Sequence, residues 1–280
     1  IHVLADSTAK VPDVETYLDH LGEVFGQVER VLKDSGTVWV NLGDIYASGN
    51  RNRMLRDHSS TQHTHRHATP ILDKSLCLIP ERFALRMSQC GWILRNKIVW
   101  AKANHAPSSV KDRFTCGWEH LFQFVKSPRY SFDLDAVRVP HATNPPSATR
   151  VLTRRPSSSP TSLIGYRAGP PTGDPARYHA LGGNPGDVWV IPTRPSDRSH
   201  PAPFPEVLCE RPILAGCPPG GLVVDPFVGS GTTAVVAKRL CRHFIGFDLN
   251  PAYIALARDR IARVAGSTHK GGTPEGALAA

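Results

Sequence analysis

A glycine-containing turn between two short apolar runs constrains the fold of this chain more than any other feature. An apolar run at residues 222–224 ends in Asp225, and a turn at residues 226–233 leads into a stretch with helical character. A second apolar run, residues 244–247, then ends in Asp248. A strand, a helix and a second strand in this order form a parallel β-α-β unit. The sequence therefore predicts an α/β protein with a doubly wound, mostly parallel sheet.

The turn itself matches the G-x-G-x-x-[GA] pattern at residues 229–234. The glycines let the backbone approach a ligand, the helix N-terminus offers unpaired N–H groups, and Asp248 can accept both hydroxyls of a ribose. A P-loop is excluded because no Lys-Ser/Thr pair follows the glycines. The alternative is a plain turn before a helix, with Asp248 capping the helix that starts at Asn250.

Asp225 indicates which adenosine ligand the turn would hold. Its carboxylate, just ahead of the glycines, would repel a pyrophosphate and suits a ligand with an amino group. S-adenosylmethionine offers an adenosine to Asp248 and a methionine ammonium to Asp225. An NAD-dependent oxidoreductase is the disfavoured alternative, since NAD would place its pyrophosphate beside this carboxylate.

A second strand end lies in the N-terminal part of the chain. Apolar residues at helical spacing over 14–31 are followed by an apolar run at 37–42 that reads as a buried strand. Open α/β sheets bind ligands beyond the carboxyl ends of their strands, so Asn41 and Asp44 are site candidates. An Asx turn that ties off the strand is the alternative. The same patterns predict a helix over residues 79–90 and strands over residues 92–100 and 120–125.

Charge and composition favour a polyanionic partner. Lys and Arg number 33 against 24 Asp and Glu, a formal charge of +9. Arginines are scattered through residues 138–203, which are rich in Pro and Ser and read either as a disordered linker or as an insert that reads nucleic acid. The six cysteines form no CxxC pair, which predicts a reduced, cytoplasmic chain with no zinc site. No apolar run is long enough to cross a bilayer. Residues 48–70, with four His, read as a surface loop, and no metal site is predicted.

Both ends of the β-α-β unit carry longer motifs. Residues 225–233 read Asp-Pro-Phe-Val-Gly-Ser-Gly-Thr-Thr, and residues 246–253 read Gly-Phe-Asp-Leu-Asn-Pro-Ala-Tyr. Together they resemble the cofactor-binding motifs of the DNA amino-methyltransferases that modify cytosine N4 or adenine N6. The similarity extends in order over roughly residues 14–262 and looks like the permuted class often called β. The other similar segments are residues 39–44, 98–102, 124–130, 186–193 and 200–205.

The resemblance implies a division of the chain and two binding partners. S-adenosyl-L-methionine would be the cofactor and double-stranded DNA the substrate, with a cognate restriction endonuclease as a further expected partner and no membrane. Residues 1–137 would form the catalytic half of the core, 138–185 the target-recognition insert, 186–264 the cofactor half and 265–280 a disordered tail.

The resemblance also assigns roles to individual residues. Asp225 and Thr232 would hold the methionine end of the cofactor, Asp248 its ribose, and Phe227 and Phe204 would pack around it. Asn41 and Asp44 would line the target or methionine end of the pocket. The full cofactor set is Asp225, Phe227, Gly229, Ser230, Gly231, Thr232, Asp248, Thr193, His200 and Phe204, and the expected phosphate contacts are Lys102, Arg113, Lys126 and Arg129.

One family motif is missing. The catalytic tetrapeptide, Asp or Ser followed by Pro-Pro-aromatic, would stack on a flipped base and hold its amine, and it is expected before the helix at Val14. We expect it upstream of Ile1, so that no catalytic residue lies in this chain and the fragment is inactive. Residues 144–147, Asn-Pro-Pro-Ser, lack the aromatic and follow the wrong motif. A non-catalytic remnant that still binds cofactor or DNA is the alternative.

Overall fold

A computed structural model of the chain describes residues 2–3, 13–47, 71–105, 107–141, 179–193, 204–264 and 276–279. The chain divides into two compact units. The larger unit contains Ile1–Phe132 and Asp187–Ala280, and the smaller one contains Asp133–Gly186. The boundaries of the smaller unit lie close to those predicted for the insert at residues 138–185.

The larger unit contains a five-stranded sheet with the order β1-β2-β4-β3-β5. β1 pairs in parallel with β2, and β5 pairs in parallel with β3, while β4 is antiparallel to both of its neighbours. The direction of β4 follows from its connection, because a single loop joins β3 directly to β4. The strands are β1 His2–Val3, β2 Thr37–Leu42, β3 Ile93–Ala101, β4 Trp118–Val125 and β5 Val188–Val190.

A second, three-stranded sheet in the same unit is wholly parallel, with the order β6-β7-β8. Of the six pairings between described strands, four are therefore parallel. The predicted α/β class with mostly parallel strands is confirmed. The strands are β6 Leu222–Asp225, β7 His243–Phe247 and β8 Gly276–Ala279.

Helices cover both faces of β4. Phe122 and Phe124 belong to a core cluster with α1 and α2, whereas Leu121, which points to the opposite face, belongs to a cluster with α3. A third cluster packs α4 and α5 around Phe244 of β7. The helices are α1 Val14–Val31, α2 Ile79–Gln89, α3 Glu206–Gly216, α4 Thr232–Arg239 and α5 Pro251–Ala262.

Helix α1 shows how the sequence builds these layers. The Asp13 side chain accepts a hydrogen bond from the Thr16 backbone N–H at 2.8 Å and so caps the first turn. Leu18, Leu21 and Phe25, spaced three and four residues apart, are buried against the sheet.

The smaller unit is described only at its two ends. A short 3-10 helix at Asp135–Val137 is followed by an isolated bridge between Val139 and Gly183. The Arg138 guanidinium closes this pair of segments by donating to the Gly182 carbonyl at 3.0 Å. Residues 142–178, which hold most of the arginine-rich part of the predicted insert, lie outside the described residues.

Two further expectations concern segments at the margins of the description. The predicted disordered tail is wrong for Gly276–Ala279, which pairs in parallel with β7 from Phe244 to Phe247. Backbone hydrogen bonds to an open sheet edge, which require no particular side chains, account for a strand in so plain a sequence. The histidine-containing loop at residues 48–70 lies outside the described residues. None of the described helices has the length and apolar character needed to cross a membrane.

Candidate cofactor site and the adjoining cleft

The glycine turn between β6 and α4 is fastened to the end of β7. Gly229 and Gly231 adopt φ values of +51° and +83°, which favour glycine over residues with a side chain. The Val228 N–H donates to the Phe247 carbonyl at 2.8 Å, and the Gly229 N–H donates to the Asp248 carboxylate at 2.9 Å. The first turn of α4 is therefore held in place beside the end of β7.

Arg260 of α5 fastens the turn at a second point. Its guanidinium donates to the Ser230 carbonyl at 2.7 Å, to the Ser230 hydroxyl at 2.9 Å and to the Thr232 hydroxyl at 3.2 Å. Both hydroxyl groups belong to buried residues. The structure thus gives Ser230 and Thr232 a supporting role in the turn, and their contact with a cofactor stays a prediction.

Asp225 is a buried carboxylate with one oxygen left without a partner. The residue is 2% exposed. Its Oδ1 accepts a hydrogen bond from the Phe227 backbone N–H at 3.0 Å, whereas Oδ2 is buried and receives no hydrogen bond from the described part of the chain. An ionised carboxylate buried in this way is costly unless a donor reaches it. A ligand that carries an ammonium group would supply that donor.

Asp248, by contrast, already has a donor on each oxygen. Its Oδ1 accepts from the Asn250 backbone N–H at 2.8 Å and its Oδ2 accepts from Gly229. A carboxylate can accept about four hydrogen bonds, so each oxygen keeps capacity for a ribose hydroxyl. Both predicted readings of this residue, capping and ligand binding, are compatible with this geometry.

Leu249 was missed by the sequence analysis. It follows Asp248 directly and is 99% exposed. A leucine that is fully exposed beside a carboxylate suited to a ligand offers an apolar surface that the flat ring of a nucleoside could cover. The one signal that could have found it is an apolar residue placed immediately after the strand end.

Of the remaining predicted cofactor residues, Thr193 follows β5 and Phe204 precedes α3. Thr193 is bonded to Asn104, whose side-chain oxygen accepts from the Thr193 N–H at 2.6 Å and from its hydroxyl at 3.0 Å. Phe204 is buried at the start of α3, and Phe227 packs on the core cluster of α1 and α2. His200 lies outside the described residues.

A cavity of about 330 Å³ separates the two sheets of the larger unit. Its walls are apolar and come from α1 and β2 on one side and from α3 and β6 on the other. β1 pairs with β2 only at Asn41 and Leu42, so the edge of β2 that faces away from β4 is free from Thr37 to Val40 within the described structure. β6 is the outermost strand of its sheet and presents a free edge there as well. The apolar residues of the walls include Leu32 and Val38 on the first side, and Leu208, Ile213, Val223 and Val224 on the second.

Asn41 and Cys209 are the polar groups of this cleft that bear on its chemistry. Asn41 is 2% exposed, and its Nδ2 donates to the His120 carbonyl at 2.8 Å while its Oδ1 has no donor among the described residues. Asn41 lines this cavity, and its predicted place at the target or methionine end of the cofactor pocket stays a prediction. Burial raises the pKa of the Cys209 thiol to about 12, so this cysteine stays protonated and does not serve as a nucleophile.

Asp44 is not among the residues that line this cavity, and its expected place at the target or methionine end of the cofactor pocket stays a prediction. Its Oδ1 accepts from the Ile45 and Ile79 N–H groups at 2.9 and 3.1 Å, and its Oδ2 accepts from the Leu78 N–H at 3.0 Å. The carboxylate thus caps helix α2, whose preceding residue Leu78 has a left-handed backbone and provides no side-chain cap. The carboxylate thus ties the end of β2 to the start of α2, and the contacts differ from those of the Asx turn considered above.

Replacing Asp44 by Ala is expected to lower the free energy of unfolding by about 1–2 kcal/mol, because the first N–H groups of α2 lose their acceptor. Urea denaturation followed by circular dichroism measures this difference. Asp34→Ala is the matched control, since the Asp34 side chain is 89% exposed and its loss is expected to change stability by less than about 0.5 kcal/mol. Equal stability of the two variants would contradict the capping role.

Two of the four expected phosphate contacts have partners within the fold, and their contact with DNA stays a prediction. Lys102 forms an ion pair with Glu119 and lies 4.9 Å from the centre of the Trp100 ring. Lys126 donates to the Leu32 carbonyl at 2.9 Å at the end of α1. Both amines are therefore used within the fold. Arg113 and Arg129 are exposed, and the Arg113 guanidinium lies 3.7 Å from the centre of the Tyr46 ring.

Comparison with known proteins gives a consistent picture. A family model described as DNA methylase matches residues 5–259. Type II methyltransferase M.SmaI of Serratia marcescens is 35% identical over 255 residues, which are 90% of this chain and 76% of the relative. Type II methyltransferase M.Cfr9I of Citrobacter freundii is 36% identical over 249 residues, 88% of this chain and 71% of the relative.

Solved structures show the same fold at lower identity. The cytosine-N4-specific PvuII DNA methyltransferase matches with a TM-score of 0.60 at 20% identity, and the match covers 93% of this chain and 73% of that protein. A putative DNA modification methylase of Thermus thermophilus, solved in complex with S-adenosyl-L-methionine, matches with a TM-score of 0.55 at 23% identity, covering 99% of this chain and 89% of that protein.

Proposed function

Because this chain belongs to the DNA methylase family, we propose that, when it is completed by the catalytic Pro-Pro-aromatic motif that its sequence lacks, it transfers a methyl group from S-adenosyl-L-methionine to an exocyclic amine of double-stranded DNA, either cytosine N4 or adenine N6. When bound, the cofactor supplies an electrophilic methyl group on its sulfonium. The observation that carries the proposal is the buried Asp225 carboxylate, whose free oxygen lies beside a glycine turn already fixed for a ligand.

Six residues of this chain would bind the cofactor along its length. Asp225 would accept the methionine ammonium, and Asp248 would accept ribose hydroxyls with the capacity that its two backbone donors leave. Leu249 and Phe227 would provide apolar surface for the adenine ring, with Thr193 and Phe204 nearer to the methionine end. Transfer of a methyl group to an amine depends mainly on alignment, so holding both ends of the donor is the main task of these residues.

The target amine would be held by a Pro-Pro-aromatic motif, which this sequence does not contain. The three Pro-Pro pairs of the 280 residues precede Ser147, Thr172 and Gly220, so no Pro-Pro-aromatic triplet is present. We propose that one additional strand, ending in that triplet, fills the cleft between β2 and β6. The two free strand edges, the apolar walls and the buried Asn41 oxygen without a donor in the described structure support this occupant.

Membership of the DNA methylase family also bears on the substrate, the cellular location and the partner protein. A formal charge of +9 suits the phosphates of a DNA duplex, and a DNA substrate is the argument for a cytoplasmic location. The Type II methyltransferases among the relatives suggest a cognate restriction endonuclease as a partner. A non-catalytic remnant that binds cofactor or DNA is the second candidate, because of the missing triplet.

Isothermal titration calorimetry tests the cofactor part of the proposal. The chain is expected to bind S-adenosyl-L-methionine with measurable heat and to show none with NAD, since the pyrophosphate of NAD would approach Asp225. S-adenosyl-L-homocysteine is the matched ligand, because it keeps the ammonium and the adenosine. Binding of NAD alone would show that the glycine turn serves a dinucleotide.

A further inference from the structure

The loop between β3 and β4 is braced at three points. At its start Asn104 is bonded to Thr193, and further along the Lys74 amine pairs with Asp112 at 2.8 Å. The Arg113 guanidinium then stacks on the Tyr46 ring at 3.7 Å. Each of these contacts ties the loop to a residue outside it.

Phe114 is the exposed apolar side chain that this bracing presents. It is 96% exposed, although a phenylalanine ordinarily gains by leaving water. Its neighbours in sequence, Lys111 and Arg113, are exposed and cationic, while the charge of Asp112 is balanced by Lys74. The loop therefore offers a ring flanked by positive charge, a combination that complements the stacked bases and phosphates of a duplex.

The β3–β4 loop also lies at the edge of the sheet formed by the carboxyl ends of β2 and β3, where methyl transfer is expected. Tyr46 follows the carboxyl end of β2, and Thr193 is one of the residues predicted to bind the cofactor. Both residues contact the loop. A duplex that delivered a base to the methyl donor would have to pass close to these anchors.

We propose that Phe114 inserts into the base stack of the DNA and fills the space that the target base leaves when it is flipped out. Lys111, whose side chain is exposed, holds a flanking phosphate. This role rests on the proposed function, because it requires DNA as the substrate. Removing a base from the stack costs unstacking energy, which an inserted aromatic ring partly returns.

Fluorescence anisotropy with two labelled duplexes tests the insertion. One duplex is intact, and the other has the same sequence with a single abasic site, where the gap already exists. The wild-type chain is expected to bind the abasic duplex roughly tenfold more tightly, and Phe114→Ala is expected to bind both duplexes equally. Phe114→Trp retains the preference because an indole ring can also stack.

Two control variants separate insertion from other effects. Phe132→Ala removes a ring that is 42% exposed elsewhere, and the preference for the abasic duplex is expected to persist. Lys111→Ala is expected to weaken binding to both duplexes equally and to reduce the salt dependence. A Phe114→Ala chain that keeps the preference, or a wild type without one, would overturn the insertion. A wild type that binds no duplex would instead refute the DNA substrate itself.

Discussion

The Asp225→Asn variant is expected to bind S-adenosyl-L-methionine about 100-fold or more weakly than the wild type while remaining folded. The substitution keeps the shape of the side chain and its acceptor for the Phe227 N–H, and it removes only the charge. A charge-assisted hydrogen bond to a buried group is worth several kcal/mol when its partner is removed, which corresponds to this loss of affinity. Calorimetric titration of both chains measures the difference.

The same substitution is expected to leave the cofactor-free chain at least as stable as the wild type. Burying Asp225 without a partner for Oδ2 costs free energy in the absence of a ligand, and an amide at this position carries no charge. The midpoint of thermal unfolding, measured without cofactor, should therefore stay level or rise. Asp259→Asn, which removes an exposed carboxylate paired with Arg263, is the matched control and should leave cofactor affinity unchanged. A destabilised Asp225→Asn chain with normal affinity would assign Asp225 to the fold alone.

Supplying the additional strand is expected to convert an inactive chain into an active methyltransferase. The 280-residue chain has no Pro-Pro-aromatic triplet, and its described strands leave two free edges at the cleft, so we expect it to transfer no methyl group. A version to which a strand ending in a Pro-Pro-aromatic triplet is added before Ile1 should transfer tritiated methyl groups from the cofactor to DNA. Mass spectrometry of the digested DNA would then identify the product as N4-methylcytosine or N6-methyladenine.

An extension whose aromatic residue is replaced by Ala is the control, since it can still fill the cleft but cannot stack on the flipped base. This variant should bind the cofactor and give little methyl transfer. Robust methylation by the 280-residue chain would show that its own residues hold the target amine. An extended chain that binds cofactor and DNA but methylates nothing would favour the non-catalytic remnant.

The β-α-β unit could be predicted from the sequence because its signals are local. Gly229, Gly231 and Asp248 lie within one turn and the next strand end, and each has the conformation or contact that its type requires. Asn41 was predicted for a similar reason, from its place at the end of an apolar run.

The contacts that could not be predicted join residues that are distant in sequence. Asp44 caps Ile79, and the Lys126 amine donates to the Leu32 carbonyl. Lys102 is paired with Glu119 across the β3–β4 loop. Patterns along a chain do not indicate such pairings, because they depend on which elements pack together. Leu249 was missed because solvent exposure cannot be read from sequence.

Asp248 serves the fold as well as the proposed cofactor site, so its replacement is expected to have a different effect from the replacement of Asp225. Its carboxylate ties the glycine turn to β7 in the absence of any ligand, whereas the free oxygen of Asp225 contributes nothing to the described fold. A descendant that no longer bound the methyl donor would still need Asp248 to keep the glycine turn in place. It could replace Asp225 without losing the fold. Loss of the acid at position 225 with retention at position 248 would therefore mark lineages that have given up catalysis but kept the fold.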